Sequence, residues 1–370
     1  MNNKPIYVTQ PSLPPLAEYI ELLEDVWETG ILTHNGPKVV KFEEDLKNKL
    51  GVDNISTLTN GTIALQVAIR ALEVKGEIIT TPFSWVATIS AIKYEDCTPV
   101  FCDIDPETFN IDVNKIEELI TDKTVAIMPV HVFGTPCNVE AIKKIAEKHN
   151  LKVIYDAAHA LGSTVKGESV LNYGDVSATS MHGTKLLNTA EGGACITSDI
   201  DLDEKIKSIR FFGHDKSKNI VQDGFNGKMT EIHASLGLAN LKYFDAVLED
   251  RKLKYKRYHD TLKIDKDLKF QKVEFGETNY SYFPVVFETE QQLLKAMNAF
   301  NNANIFPRRY FYPSLNNLKN IVSYSACPVS EDIASRIICL PLYFNLTVEQ
   351  VDLICQLLLK TLNTKRIEVV

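Results

Sequence analysis

The sequence predicts an α/β protein in which a large, mostly parallel sheet over residues 1–250 carries helices on both faces, and a small α+β unit occupies residues 251–370. Three observations predict it. Short apolar runs alternate with helical periodicities from Ile55 to Ser198, the pattern of strands joined by crossover helices. After Asp250 the texture changes to a basic helical stretch, two strand-like runs and two further helices. At 370 residues, 45% of them hydrophobic, the chain is long enough for one large core and a smaller second one.

Leu16 to Thr29 reads as an amphipathic helix, with Ile20, Leu23 and Val26 or Trp27 at helical spacing and Gly30 stopping it. Thr33-His34-Asn35-Gly36-Pro37 is then a polar loop before a second helix, Val39 to Leu50; it either lines a site or simply connects two helices. Ile55 to Leu58 is a strand running into Asn60-Gly61-Thr62 and a helix that reaches Leu72. A helix N-terminus exposes unpaired N–H groups, so Gly61 and Thr62 are candidates for a phosphate seat, although Asn-Gly-Thr also makes an ordinary capped start. Glu77 to Thr81 is the next strand, followed by Trp85 at the start of a helix through Ala91; the indole is either core or a stacking surface for a flat heterocycle. Thr98 to Asp103 reads as a strand, Asp112 to Ile120 as a helix, Thr124 to Val132 as a strand, and Val139 to His149 as a helix. A further apolar run, Ile154-Tyr155, ends in Asp156, and Val176 to Ser180 and Ala194 to Ser198 are strands on either side of a turn holding Lys185. Thr230 to Asp250 is a long helix, and Arg251 to Leu262 a basic one. Leu268 to Val273 and Tyr282 to Phe287 are strand-like, Gln291 to Ala303 and Val348 to Leu362 helical. Ligands of parallel sheets bind beyond the strands' carboxyl ends, which is where Trp85, His131, Asp156 and Lys185 fall.

Ser180-Met181-His182-Gly183-Thr184-Lys185 is the stretch the other signals serve. Lys185 alone would be a solvated surface charge. Paired with a strand-end aspartate it suggests pyridoxal phosphate, which needs a Schiff-base lysine for its aldehyde and an anion beside its pyridine nitrogen. The glycines of Glu191-Gly192-Gly193 permit sharp geometry near a ligand but make no dinucleotide fingerprint.

Composition removes other classes. A net charge of −8 argues against nucleic acid as a partner. Seven scattered cysteines form no CxxC pair and no zinc pattern, so no metal is expected and the thiols read as reduced and cytoplasmic. Met1 to Pro15 is polar, and no stretch approaches the roughly 20 apolar residues of a membrane span.

Taken in order, Thr33–Pro37, Asn60–Leu65, Pro82–Thr88, Val130–Gly134, Asp156–His159, Ser180–Lys185 and Leu340–Tyr343 resemble the sugar aminotransferases of the DegT/DnrJ/EryC1/StrS family, and the resemblance covers nearly the whole chain. It implies fold type I, the aspartate aminotransferase-like architecture, with pyridoxal 5′-phosphate as cofactor. By position it implies that Lys185 carries the cofactor, Asp156 pairs with its pyridine nitrogen, Gly61, Thr62 and Ser180 hold its phosphate, and Trp85 stacks on its ring. His159, where many relatives have glutamine, would face the phenolic oxygen with its tautomer and charge open. Asn226 matches an asparagine that reaches the neighbouring subunit's phosphate, implying a homodimer with shared sites; without the family it reads as a turn residue before Gly227. Lys228 stands where many relatives have arginine.

The implied activity is transfer of an amino group from L-glutamate to a nucleotide-linked keto sugar. Thr33, His34, Asn35, Arg308, Arg309, Tyr310 and Tyr312 are the candidate substrate contacts, the arginines meeting a diphosphate or else forming a solvated basic turn. Ile154–Ala160 and Thr184–Leu187 look most like members that act on a dTDP-linked 4-keto-6-deoxyglucose for surface-polysaccharide amino sugars. Amination at C3, a UDP or GDP sugar, and a non-catalytic sensor that merely holds the cofactor are the alternatives.

Overall fold

Burial on both faces decides the main sheet, because a strand covered twice has no place for an alternating polar side. Val176–Ser180 and Gly193–Thr197 are buried at every residue. In the computed structural model, which describes residues 4–367, seven strands lie in the order Asn54–Leu58, Gly193–Thr197, Val176–Ser180, Lys152–Asp156, Thr124–Met128, Glu77–Thr80, Thr98–Phe101. Gly193–Thr197 runs antiparallel to both neighbours, and the other pairings are parallel.

Helices Gly61–Ala71 and Ile200–Ile209 cover one face through Leu65, Ala68, Ile206 and Ile209. Pro37–Leu50, Val139–His149 and Glu231–Leu241 cover the other through Phe42, Leu46, Ile142, Ala234 and Leu238. Phe42 enters that core because Gly237 faces it: a Cβ there would lie 2.5 Å from the ring. The buried Glu231 side chain accepts from the amides of Lys38 at 2.7 Å and Val39 at 3.1 Å, so a carboxylate on one helix caps the positive end of the next.

A second, antiparallel sheet of Lys269–Phe270, Phe283–Val286 and Ile337–Leu340 packs against Phe244–Leu262, Glu290–Asn302 and Val348–Ile367 through Tyr258, Leu262, Phe300, Val351 and Leu358. The chain's first strand, Ile6–Tyr7, belongs here too, pairing with Ile305–Phe306. It then crosses to the main sheet, where the Ser12 carbonyl accepts from Asn188 at 2.8 Å. Met1 to Asn3 lie outside the described residues.

Several elements differ from expectation. Asp112 to Ile120 forms two short 3-10 turns, Val113–Lys115 and Glu117–Leu119, because so short a segment gains too few bonds to nucleate an α-helix. The strand expected through Val132 stops at Met128, where Pro129 offers no N–H to the ladder. The long helix from Thr230 breaks at Lys242-Tyr243, where the Tyr243 hydroxyl turns to Glu18, and Phe244–Leu262 then runs unbroken through the expected division at residue 250. Helices Ile200–Ile209 and Pro328–Arg336 and strand Ile337–Leu340 were not anticipated. No helix among the described residues is long and apolar enough to cross a membrane.

Candidate active site

The carboxyl ends of the parallel strands open onto one cavity of about 340 Å³. Leu58 is followed by Asn60, whose side chain accepts from the Ile63 amide at 2.9 Å and starts helix Gly61–Ala71 with the Gly61 and Thr62 amides ahead of the first in-helix acceptor. Glycine is required at 61, since a Cβ would lie 2.8 Å from that of Ser180 at the end of strand Val176–Ser180. Thr80 leads to Ser84 and Trp85, Lys152–Asp156 ends in the aspartate, and Val176–Ser180 ends in the serine before the lysine turn.

Lys185 is enclosed, and burial draws its amine down from 10.5 to about 8, with Asp156 pulling the other way. Asp156 is buried at 4% exposure. One of its oxygens accepts from the Thr88 hydroxyl at 2.7 Å, the other from the Ala158 amide at 3.1 Å. Burial raises its carboxyl, while Thr88, Ala158 and then Lys185 favour the charged form. His159 lies parallel to Phe133 and Phe311, 6.3 and 5.7 Å between ring centres. Burial holds its imidazole far below the usual range, so it is neutral, and Nδ1 has no partner.

Gly61, Thr62, Trp85, Asp156, His159, Ser180, Lys185, Arg308 and Tyr310 all line this cavity. Arg308 lies over Trp85 and Tyr310, 5.7 and 4.9 Å from the ring centres, closing the mouth from the small unit. The remaining candidates do not come here. His34 and Asn35 line a separate recess of about 830 Å³ with Arg210 and Lys228. The Arg210 guanidinium donates to Asn35 at 2.9 Å, and Lys228 to Asn226 at 2.5 Å. Thr33 lines neither. Arg309 turns into the small unit, donating to Glu290 at 2.7 Å and the Ser335 carbonyl at 2.6 Å, with Tyr312 flat against its guanidinium at 3.5 Å. His131 is also set apart from the cavity. It is buried against Tyr155 and accepts from the Cys137 amide at 3.0 Å, and burial pulls its imidazole down to about 3.

Sequence reasoning missed Thr88, Ser84, Tyr282, Phe311, His182 and Glu191. Thr88 lies in the Pro82–Thr88 stretch, at the start of helix Ala87–Tyr94, but no local feature marks its hydroxyl as the one that meets Asp156. Tyr282 and Phe311 arrive from the small unit and left no local signal. All seven cysteines are buried, which removes the exposed thiol a cysteine-based chemistry would need.

An amine drawn toward neutrality, a buried carboxylate held by two hydrogen-bond donors, a glycine cradle at a helix N-terminus and an imidazole whose buried Nδ1 has no partner fit pyridoxal phosphate group by group. Fold and cavity thus suit a fold-type I enzyme that uses pyridoxal phosphate. The model of the DegT/DnrJ/EryC1/StrS aminotransferase family matches residues 16–359. A protein of Shigella dysenteriae named dTDP-4-amino-4,6-dideoxy-D-glucose transaminase is 44% identical over 95% of this chain and 97% of its own length. One of the same name from Escherichia coli is 42% identical over 97% and 99%. The solved structure of DesI in the presence of its TDP-sugar product superposes with a TM-score of 0.93 at 29% identity, covering 99% of this chain and 95% of that one. The chain belongs to the DegT/DnrJ/EryC1/StrS aminotransferase family.

Proposed function

We propose that this chain transfers an amino group from L-glutamate to dTDP-4-keto-6-deoxyglucose, giving dTDP-4-amino-4,6-dideoxyglucose. The observation that carries the reading is Lys185, an enclosed amine whose pKa of about 8 leaves roughly half of it neutral at pH 8. The 44% identity to a transaminase named for that product supports the choice of sugar.

Gly61, Thr62 and Ser180 would hold the cofactor's phosphate, Asp156 its pyridine nitrogen and Trp85 its ring, with neutral His159 beside the phenolic oxygen. When bound, pyridoxal phosphate supplies an aldehyde for an amine and a ring that stabilises negative charge on the carbon losing its proton. Thr88 and Ala158 fix Asp156 from both sides and oppose the rise that burial imposes on its carboxyl. The neutral Lys185 amine takes the proton from the donor's α-carbon, and as an ammonium it returns a proton in the product-forming direction. Arg308 and Tyr310 meet the sugar's diphosphate at the mouth; Arg309 acts only through the support it gives Tyr312.

The protein would work as a homodimer in which His34, Asn35 and Asn226 serve the other copy's cavity. His34 and Asn35 line a recess away from their own Lys185, and Asn226 accepts from Lys228 of that recess, which supports this. We place it in the cytoplasm, supplying amino sugars for a surface polysaccharide such as O-antigen, and read the two sheets as two domains parting near residue 250.

The test is spectroscopic. L-glutamate alone is expected to bleach the visible band of the lysine-bound cofactor and release 2-oxoglutarate; the 4-keto sugar then restores the band. A Lys185→Ala protein that still turned over would sink the mechanism. Restoration by a 3-keto or UDP-linked sugar but not by the dTDP 4-keto sugar would change the substrate.

A further inference from the structure

Two carboxylates line the cavity, and the reading above uses one. The other, Glu191, stands on the rim with its side chain 58% exposed. Its backbone is fixed: the amide donates to the Thr189 carbonyl at 2.9 Å, and its carbonyl accepts from the Thr189 hydroxyl at 2.8 Å. The carboxylate itself takes no hydrogen bond among the described residues; His182 comes within 3.7 Å, Nε2 to Oε1, and His233 also feels its charge. The Thr184 amide donates to His182 Nδ1 at 3.2 Å, so in the neutral ring the proton sits on Nε2, toward Glu191.

Charge makes this placement informative. A phosphate, the donor's carboxylates and a nucleotide's diphosphate are all anions, and a rim carboxylate repels each of them. What it does attract is a neutral hydroxyl, from which it accepts a strong charge-assisted bond. A 4-keto-6-deoxyhexose joined through C1 keeps hydroxyls only on C2 and C3. With C4 at the Lys185 amine, the C3 hydroxyl is on the adjacent carbon, inside the cavity that Lys185 and Glu191 both line.

We propose that Glu191, aimed by His182, accepts a hydrogen bond from the hydroxyl next to the reacting carbonyl and so selects a hydroxylated ketone. The inference rests on the sugar-transaminase reading of the cavity.

Separated half-reactions test it. In Glu191→Gln, kcat/KM toward the 4-keto sugar is expected to fall about tenfold or more, while the glutamate half falls no more than about twofold. Wild type should use the 3-deoxy ketone about tenfold less well, and Glu191→Gln should no longer tell the two ketones apart. His182→Asn should lose part of the same discrimination. Calorimetric binding of the unreactive dTDP-6-deoxyglucose should weaken in Glu191→Gln by a similar factor. Equal loss in both halves would assign Glu191 to the lysine instead, and an unchanged sugar half would mean that it touches no hydroxyl; either overturns the proposal. If wild type fails to react with glutamate, the transaminase reading itself falls, so the two failures are distinct.

Discussion

A lysine whose amine is drawn down to about 8 leaves a thermodynamic mark beyond its chemistry. Lys185 loses its proton near 8 when folded and near 10.5 when unfolded, so between those values the unfolded chain binds more protons and stability rises with pH. The gain, about 3 kcal/mol at most, should appear in urea titrations of the apoprotein between roughly pH 8 and 10.5 and vanish in Lys185→Met. Thr88 carries a second prediction. Its hydroxyl lowers the Asp156 carboxyl against burial, so Thr88→Val should lift that carboxyl further and move the acid limit of cofactor binding to higher pH, with Thr88→Ser close to wild type. Fluorescence titration of pyridoxal phosphate from pH 5 to 8 reads this directly. Lys185 and Asp156 were legible in the sequence because a carboxylate ending an apolar run and a lysine after a small-residue turn both mark strand ends. Thr88 was not, because nothing local says which hydroxyl of a helix meets a carboxylate 68 residues on.

Between elements, one side chain governs how the polar loop at residues 31–36 meets the sheet. Glu231 caps helix Pro37–Leu50 through two amides, and its own amide donates to the Leu32 carbonyl at 3.0 Å. Gly36 fits only because it has no Cβ, which would meet the Glu231 carboxylate at 2.7 Å. Glu231→Ala leaves both amides buried and unpaired, at a cost of about 2–4 kcal/mol, and Glu231→Gln, keeping one acceptor, should lose roughly half of that. Urea unfolding midpoints decide it. Periodicity predicted the helices on either side, Pro37–Leu50 and Glu231–Leu241, within a residue or two of their observed ends at the loop. It could not predict the break at Lys242-Tyr243, since apolar spacing continues across it and only the contact with Glu18 marks the change.

For the whole molecule, the proposed dimer makes the strongest claim. Twice the 41.6 kDa chain is about 83 kDa, the mass expected from light scattering of the native protein. Lys185→Ala and Asn226→Ala proteins, each impaired alone, should regain up to about a quarter of wild-type activity when unfolded and refolded together, because one hybrid cavity then has both residues. No recovery would mean that each cavity is built from one chain. The parallel architecture was readable from the alternation of strand and helix; the recess holding His34 and Asn35 was not, because two helix-flanking loops more than 170 residues apart build it around Arg210. One last feature concerns how such a molecule comes to exist. Ile6–Tyr7 finds its strand partner only in Ile305–Phe306, made about 300 residues later. During synthesis the main sheet has all its strands by Thr197, and the strap can already reach Asn188 on the lysine turn, yet Ile6–Tyr7 has no strand to pair with until about a hundred further residues emerge. At roughly 5–20 residues per second that is a wait of about 5–20 seconds, an interval in which a nascent chain presents an unpaired edge to chaperones.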